Sequence, residues 1–352
     1  MANHNLSQAK RAKNDEFYTQ YGDIEKEVNA YLEFDPDTFR GKVVLLPCDD
    51  PDWSNFTRYF AQNFKRLGLK RLVGTSYAEE SKTYKTGRAI PKWEREDPRF
   101  CPEKAVSHGK RFVVERDLTR NGRIDFEDLE WEYLEGDGDF RSDEVTKLRD
   151  EADIIVTNPP FSLFREFLAW IGDKKFLVIG NMNAITYKEV FPRIKNDEMW
   201  LGATGFNEGM YFEVPADFQY ADTYKFDRVR NGRKVNRVPG VAWFTNLDHG
   251  RRHEPLSLMV EADVVKYGSK APFQKYDNYD AIEVSKTKWI PSDYKGVMGV
   301  PISFLDKYCP EQFEIVGATE SEGKGFSGGL WKSESKIAQP IMGGADLQTY
   351  LH

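Results

Sequence analysis

Short, almost wholly apolar runs recur along this chain, and each is followed by a polar loop and a helix-like pattern. Lys42-Val43-Val44-Leu45-Leu46-Pro47-Cys48, Arg71-Leu72-Val73-Gly74-Thr75, Asp153-Ile154-Ile155-Val156-Thr157 and Phe176-Leu177-Val178-Ile179 are the clearest. Runs this brief and this rich in Val, Leu and Ile suit strands covered on both faces of a parallel sheet. After the first run, Ser54 is placed to cap a helix with Phe56, Phe60 and Leu67 on one face and Gly68 just beyond its end. After the third, Ser162 to Trp170 carries Phe164, Phe167 and Leu168 at core spacing. Helices are also expected over Ile24–Leu32, Asp143–Arg149 and Ala184–Ile194, and strands at Arg111–Glu115, Glu198–Leu201 and Val241–Thr245. This alternation predicts an α/β fold built on a doubly wound sheet with helices on both faces. Residues 78–110 read as an insertion or long loop. Residues 204–240 read as an excursion rich in Gly, Asn, Arg and aromatics, and periodicity weakens after 250.

Charge narrows the partners. The 352 residues hold 50 Lys and Arg against 57 Asp and Glu, a net charge of −7, so the chain cannot coat nucleic acid by bulk charge. Basic residues are instead gathered locally, at Lys10, Arg11 and Lys13, at Arg228, Arg230, Arg233, Lys234 and Arg237, and at Arg251 and Arg252. A charge run of this kind is usually a solvated face. Cys48, Cys101 and Cys309 are scattered and odd in number, which excludes a disulfide framework, and no Cys/His cluster points to a metal site. No apolar run approaches the roughly 20 residues of a membrane helix, and the N-terminus has no signal-peptide stretch, so a soluble cytoplasmic protein is expected.

The tetrapeptide Asn158-Pro159-Pro160-Phe161 follows a buried-strand run at once. Ligands of open α/β sheets lie beyond the carboxyl ends of the strands, where this segment is expected. Successive prolines restrict the residues before them to extended backbone, so one amide side chain and bare carbonyls are held stiffly. An exocyclic amine on an aromatic ring needs that equipment. Its lone pair is delocalised into the ring. Two acceptors, the Asn158 amide oxygen and the Pro159 carbonyl, can each take one N–H and free that pair for attack on an electrophilic methyl. Phe161 supplies a stacking plate. A rigid strand-to-helix turn would use the same residues without that chemistry.

Other loops are less specific. Cys48, Asp49 and Asp50, with Ser54, Asn55 and Phe56 opening a helix, offer acids and a helix N-terminus to a ligand that carries both signs of charge. A merely capped loop has the same sequence, and the usual glycine-rich signature is absent. In Gly136-Asp137-Gly138-Asp139-Phe140, Asp139 and Phe140 suit an adenine amine and its face, or an ordinary acidic turn. Tyr18 in Phe17-Tyr18-Thr19 either packs beside such a ligand or anchors the N-terminal arm.

These segments together resemble the adenine-specific DNA methyltransferases of the EcoRI modification family, from about Lys10 to Val316. The resemblance rests on Asp15–Tyr21, Cys48–Pro51 with Ser54–Phe56, Gly136–Ser142, Thr157–Glu166, Asn183–Glu189, Thr245–Asp248, Tyr276–Ala281 and Gly296–Ile302. It implies a Rossmann-like S-adenosylmethionine-dependent methyltransferase sheet with an added DNA-recognition region. It implies transfer of a methyl group from S-adenosyl-L-methionine to N6 of adenine at a short specific site in double-stranded DNA. Either a cognate restriction endonuclease encoded separately would then be a partner, or the enzyme would act as a solitary or phage-type modification enzyme. The implied donor-binding set is Tyr18, Cys48, Asp49, Asp50, Ser54, Asn55, Phe56, Ser76, Tyr77, Asp139 and Phe140, and the catalytic set Asn158, Pro159, Pro160 and Phe161. Methylation of protein glutamine or of RNA uses a similar motif and stays an alternative, as does a non-catalytic DNA-binding module. The expected organisation is a basic arm over 1–14, a catalytic core over 15–203, an excursion over 204–240 for DNA recognition, and the end of the core with further recognition elements over 241–316. A Gly/Ser-rich segment over 317–352 ends the chain, and its Gly323–Gly344 stretch is expected to be mobile. Residues 80–110, 204–240 and those after 317 depart from the family pattern.

Overall fold

A computed structural model describes residues 18–49, 54–78, 92–122, 124, 128–205, 209–214, 218–230, 232–268, 273–276, 280–318 and 348–351. These fall into two units. Of the described residues, one comprises those from Tyr18 to Ala184 with those of Gly202–His249, and the other those of Ile185–Leu201 with those from Gly250 to Leu351.

The first unit opens with strand β1 (Tyr18–Thr19) and helix α1 (Tyr21–Phe34), which buries Ile24, Glu27, Val28 and Tyr31 along one face. Strand β2 (Val43–Pro47) is buried at every position, and helix α2 (Asn55–Gln62) follows it. Each such Val or Leu contributes roughly 1.5–3 kcal/mol by leaving water. The polypeptide ends the next helical turn at Gly68, whose φ of 64° is the left-handed conformation expected of a C-terminal cap. Strand β3 (Arg71–Ser76) comes next, then β4 (Lys110–Val114) and β5 (Glu130–Tyr133). Helix α3 (Asp143–Glu151), strand β6 (Ile154–Thr157), helix α4 (Phe164–Ile171) and strand β7 (Lys175–Asn181) complete the alternation. The excursion supplies β8 (Met210–Glu213), β9 (Val229–Arg230) and β10 (Arg233–Val238), and β11 (Val241–Thr245) returns to the main sheet.

In the main sheet these strands lie in the order β5-β4-β3-β2-β6-β7-β11. The pairs β2/β3, β2/β6 and β6/β7 are parallel, whereas β4, β5 and β11 run antiparallel to their neighbours. The chain therefore leaves β2 in one direction for β3 and later returns on the other side through β6. The switch point lies between β2 and β6, where Val44 sits beside Ile154 and Leu45 beside Ile155. Crevices of this kind, outside the carboxyl ends of the strands, are where open α/β sheets bind ligands.

The excursion is built into this unit as an antiparallel sheet in the order β1-β8-β10-β9. Tyr18 pairs with Glu213 and Thr19 with Phe212, so the N-terminal strand closes one edge of it. Its root is fixed by Glu27 of α1. That carboxylate is fully buried and accepts from Tyr31 Oη and from the backbone N–H groups of Ala203 and Thr204, each at 2.8 Å. Burial pushes its pKa up, and these donors oppose the shift.

The second unit contains a four-stranded sheet in the order Ile282–Glu283, Met298–Pro301, Gln348–Leu351, Ile315–Ala318. The C-terminal strand thus pairs on both sides, Met298 and Ile315 both facing Leu351. The stretch Gly323–Gly344, expected to be mobile, lies outside the described residues. The helix expected over Ala184–Ile194 is instead a 3-10 turn, Met182–Thr186, and a short helix, Phe191–Lys195, whose first turn carries Pro192. Proline is tolerated there and not in a helix interior, so the two segments cannot merge.

Candidate active site

At the end of β2 the backbone turns sharply. Cys48 has a φ of 84°, a left-handed conformation uncommon outside glycine. The turn returns Asp49 to the interior, where it is 6% exposed. One carboxylate oxygen accepts from Ser54 Oγ at 2.7 Å, and the other from Thr157 Oγ1 at 2.5 Å. The Thr157 hydroxyl also lies 2.7 Å from the Pro47 carbonyl. Asp49 therefore ties the carboxyl end of β2 to that of β6 and to the start of α2. The sequence expected it to face a ligand; its side chain holds the crevice walls together instead. Ser54 caps α2 as expected, accepting from Phe56 N at 3.1 Å and Thr57 N at 3.5 Å. Asn55 donates its amide to the Thr19 carbonyl at 2.7 Å, which fixes β1 against the start of α2. Asp50 lies outside the described residues, as does the side chain of Tyr18. The pairing of Tyr18 and Thr19 gives this segment an anchoring role.

Beyond β3, Ser76 is 3% exposed and Tyr77 is partly buried. The turn Gly136–Phe140 crosses directly over Ser76. Gly138 has a φ of 84°, and a Cβ on it would lie 2.2 Å from the Ser76 carbonyl oxygen; one on Gly109 would lie 2.6 Å from Gly138 Cα. Glycine is required on both sides of that crossing. The crossing puts Asp139 within 3.3 Å of Tyr77 Oη. Burial raises the Tyr77 pKa, and Asp137 and Asp139 raise it further. Asp139 accepts from Arg141 Nε at 2.9 Å and Nη2 at 2.6 Å, and these bonds lower its pKa. Arg141 also reaches Glu166 at 2.8 Å. Sequence reasoning missed Arg141 and Thr157, although both stood in the strings that carried the resemblance.

Asn158 follows β6 directly and is half-buried, with its amide oxygen shielded from solvent. Pro159 is buried, and Pro160 is extended at φ −54°, ψ 124°. Phe161 starts a 3-10 turn that leads into α4, and is partly buried against the main core. The strand end thus presents the stiff segment expected of it, across the switch point from Cys48 and Asp49.

Two aromatic expectations are corrected. Phe56 is 2% exposed, with its ring 5.9 Å from that of Trp243. Phe140 is 4% exposed and meets Phe167 at 5.1 Å and Trp170 at 5.5 Å. Both rings are core residues, Phe56 against Trp243 of β11 and Phe140 against the apolar face of α4, and neither is an open plate for a ligand.

The basic clusters separate. Arg230 pairs with Asp227 at 3.1 Å and Arg233 with Glu213 at 2.7 Å. Lys234 donates to the Phe218 carbonyl at 2.7 Å, and the Arg237 guanidinium lies 4.4 Å from the Phe226 ring centroid. Arg228 is exposed over Tyr220, 4.9 Å from its centroid. In the second unit Arg251 pairs with Asp306 at 2.9 Å, and Arg252, 8% exposed, pairs with Asp197 and lies over Trp200. That pair is part of its unit's interior rather than a free basic surface. Lys10, Arg11 and Lys13 lie outside the described residues. Among the described residues no helix is long and apolar enough to cross a membrane.

The family model for the adenine-specific methyltransferase EcoRI matches residues 5–344. The Type II methyltransferase M.EcoRI of Escherichia coli is 44% identical over 314 residues, covering 88% of each chain. The Type II methyltransferase M.MpnI of Mycoplasma pneumoniae is 35% identical over 317 residues, covering 89% of this chain and 85% of its own. No solved structure matches.

Proposed function

The chain belongs to the adenine-specific EcoRI methyltransferase family, and from that premise we propose that it transfers a methyl group from S-adenosyl-L-methionine to N6 of adenine at a short specific site in duplex DNA. The observation that carries the reading is the placement of Asn158 and of the Cys48–Asp49 turn on opposite sides of the switch point between β2 and β6. One side would then present acceptors to an amine, and the other would hold a donor.

The residues fit that donor chemically. Asp139 is an ionised acceptor beside Tyr77, suited to the polar groups of a nucleoside, and Asp49 with Ser54 fixes the N-terminus of α2 at the crevice. Cys48, Asp49, Ser54, Asn55, Ser76, Tyr77 and Asp139 would hold the donor, which supplies an electrophilic methyl on a sulfonium. Phe56 and Phe140 support these segments from the core. Asn158 Oδ1 and the Pro159 carbonyl accept the two N–H bonds of the target amine and draw its nitrogen toward tetrahedral geometry. As bonding develops, that nitrogen becomes more positive and both hydrogen bonds strengthen. This is stabilisation specific to the transition state. The target adenine must leave the duplex to reach Asn158, at a cost of roughly a few kcal/mol, and Phe161, the aromatic nearest the acceptors in sequence, would stack on it.

The excursion carrying β8 to β10 is assigned to DNA recognition, in company with the basic arm Lys10, Arg11 and Lys13. The enzyme would act in the cytoplasm and protect its sites against a separately encoded restriction endonuclease. Isotopically labelled donor offered to duplex DNA, RNA and whole-cell protein tests the reading. Label is expected in duplex DNA alone, as N6-methyladenine. Label confined to RNA or protein, or DNA carrying only 5-methylcytosine or N4-methylcytosine, would overturn it.

A further inference from the structure

The β9–β10 hairpin concentrates charge that the rest of the chain lacks. Positions 228–237 hold five basic residues and no acidic one, in a protein whose net charge is −7. Among the described residues strand β9 is the outermost strand of its sheet, and both its residues are exposed. Gly232, at φ 74°, closes the turn. Arg230 lies directly opposite Arg233 in the antiparallel register. Like charges in that position repel, so local structure alone does not favour the pair.

Each guanidinium is nevertheless held in place. Arg230 lies 3.4 Å from the Tyr211 ring centroid and is paired with Asp227, and Arg233 is paired with Glu213. Arg228, beside them, has an aromatic plate in Tyr220 and no carboxylate at ion-pair distance among the described residues. Stacked guanidiniums are oriented in advance and lose little freedom on meeting an anion. Exposed ion pairs are weak, so a polyanion can displace the carboxylates. The apolar residues Phe226 and Val229, 46% and 62% exposed, flank the same tip, as at surfaces that are covered in a complex.

We propose that the β9–β10 hairpin is a phosphate clamp for duplex DNA, in which Asp227 and Glu213 stand in for phosphates until DNA displaces them. The proposal rests on the assignment of duplex DNA as substrate. On docking, Arg228 takes a phosphate directly, while Arg230 and Arg233 exchange a carboxylate for one. The two acids then set a threshold: contacts too few to displace both leave the clamp closed on itself. The threshold penalises weak, non-specific docking more than docking that brings many contacts at once.

The test measures affinity for duplex DNA over a range of KCl, with the full-length protein. Each phosphate contact contributes about 0.9 to the slope of log affinity against log salt. The double variant Arg230→Ala with Arg233→Ala is expected to lower the slope by about 1.8, and Arg228→Ala by about 0.9. Asp227→Asn and Glu213→Gln are each expected to tighten binding, by about 2- to 5-fold, by removing the competing pair. Asp173→Asn, at the amino end of β7 on the opposite rim from Asn158, is expected to change nothing. Urea melts confirm that each variant is folded. Unchanged slopes for folded arginine variants, or no gain from either acid substitution, would overturn the clamp. Wild-type protein that binds no DNA would overturn the substrate assignment instead.

Discussion

Gly138→Ala separates backbone conformation from close approach, and both from chemistry. Gly138 lies in the left-handed region, where an alanine costs roughly 1–2 kcal/mol. Its new Cβ would also lie 2.2 Å from the Ser76 carbonyl oxygen and 3.2 Å from Gly109 Cα. Both are backbone atoms of neighbouring segments, so the turn must move bodily. Overpacking of that kind adds about 1–3 kcal/mol, for a total near 2–5 kcal/mol. Gly122→Ala is the control, because its φ of 81° is similar and nothing lies within 4 Å of its Cβ. It should lose only the conformational part. Reversible urea melts read the two losses, and calorimetry with S-adenosylmethionine reads the consequence. Displacing the turn moves Asp139 away from Tyr77, so donor affinity should fall with stability in Gly138→Ala and stay unchanged in Gly122→Ala. Equal destabilisation of the two variants, or wild-type donor affinity in Gly138→Ala, would refute the crossing as the device that forms the donor side.

Thr157→Val keeps the shape of the side chain and removes the hydroxyl that donates to Asp49. With one buried partner gone, a loss of about 1–3 kcal/mol is expected in urea melts, with weaker donor binding; unchanged values for both would mean that Asp49 does not depend on β6. Asp139 carries a pH signature. Its pKa is lowered below 3.8 by Arg141, so its contribution is present above the unfolded value and is lost as pH falls through the lower folded one. The urea midpoint of the wild type should therefore decline from about pH 4 downward more steeply than that of Asp139→Asn. Parallel pH profiles would show that the Asp139–Arg141 contact contributes nothing.

The parallel strands were legible because each is a compact apolar run, and the Ser54 cap and Gly68 end because they are local chemistry. Strand β5 escaped notice, since Glu130-Trp131-Glu132-Tyr133 has one wet face and only three polar-apolar alternations. The excursion's sheet was invisible for another reason. Its closing pair joins Tyr18 and Thr19 to residues almost two hundred positions later, and no local period encodes that pairing. In the site, Asn158 was read from the strand before it and the prolines after it. Asp49 is expected from its sequence to face a ligand, and its buried carboxylate instead joins the ends of β2 and β6. An acid in a loop reads as exposed, and only the left-handed turn at Cys48 and the hydroxyls of Ser54 and Thr157 send it inward. Phe140 shows the same limit, because aromatic identity does not reveal which side of a turn a ring will face.

The most direct test of the account compares wild type with Asn158→Ala in two readings on the same preparation, the single-turnover rate of N6-adenine methylation in duplex DNA and the affinity for S-adenosylmethionine by calorimetry. Asn158 is assigned to the target amine and the donor to the opposite side of the switch point. The rate should therefore fall by about 10²–10³ while donor affinity stays at the wild-type value. A wild-type rate, or a donor affinity that collapses together with the rate, would contradict it.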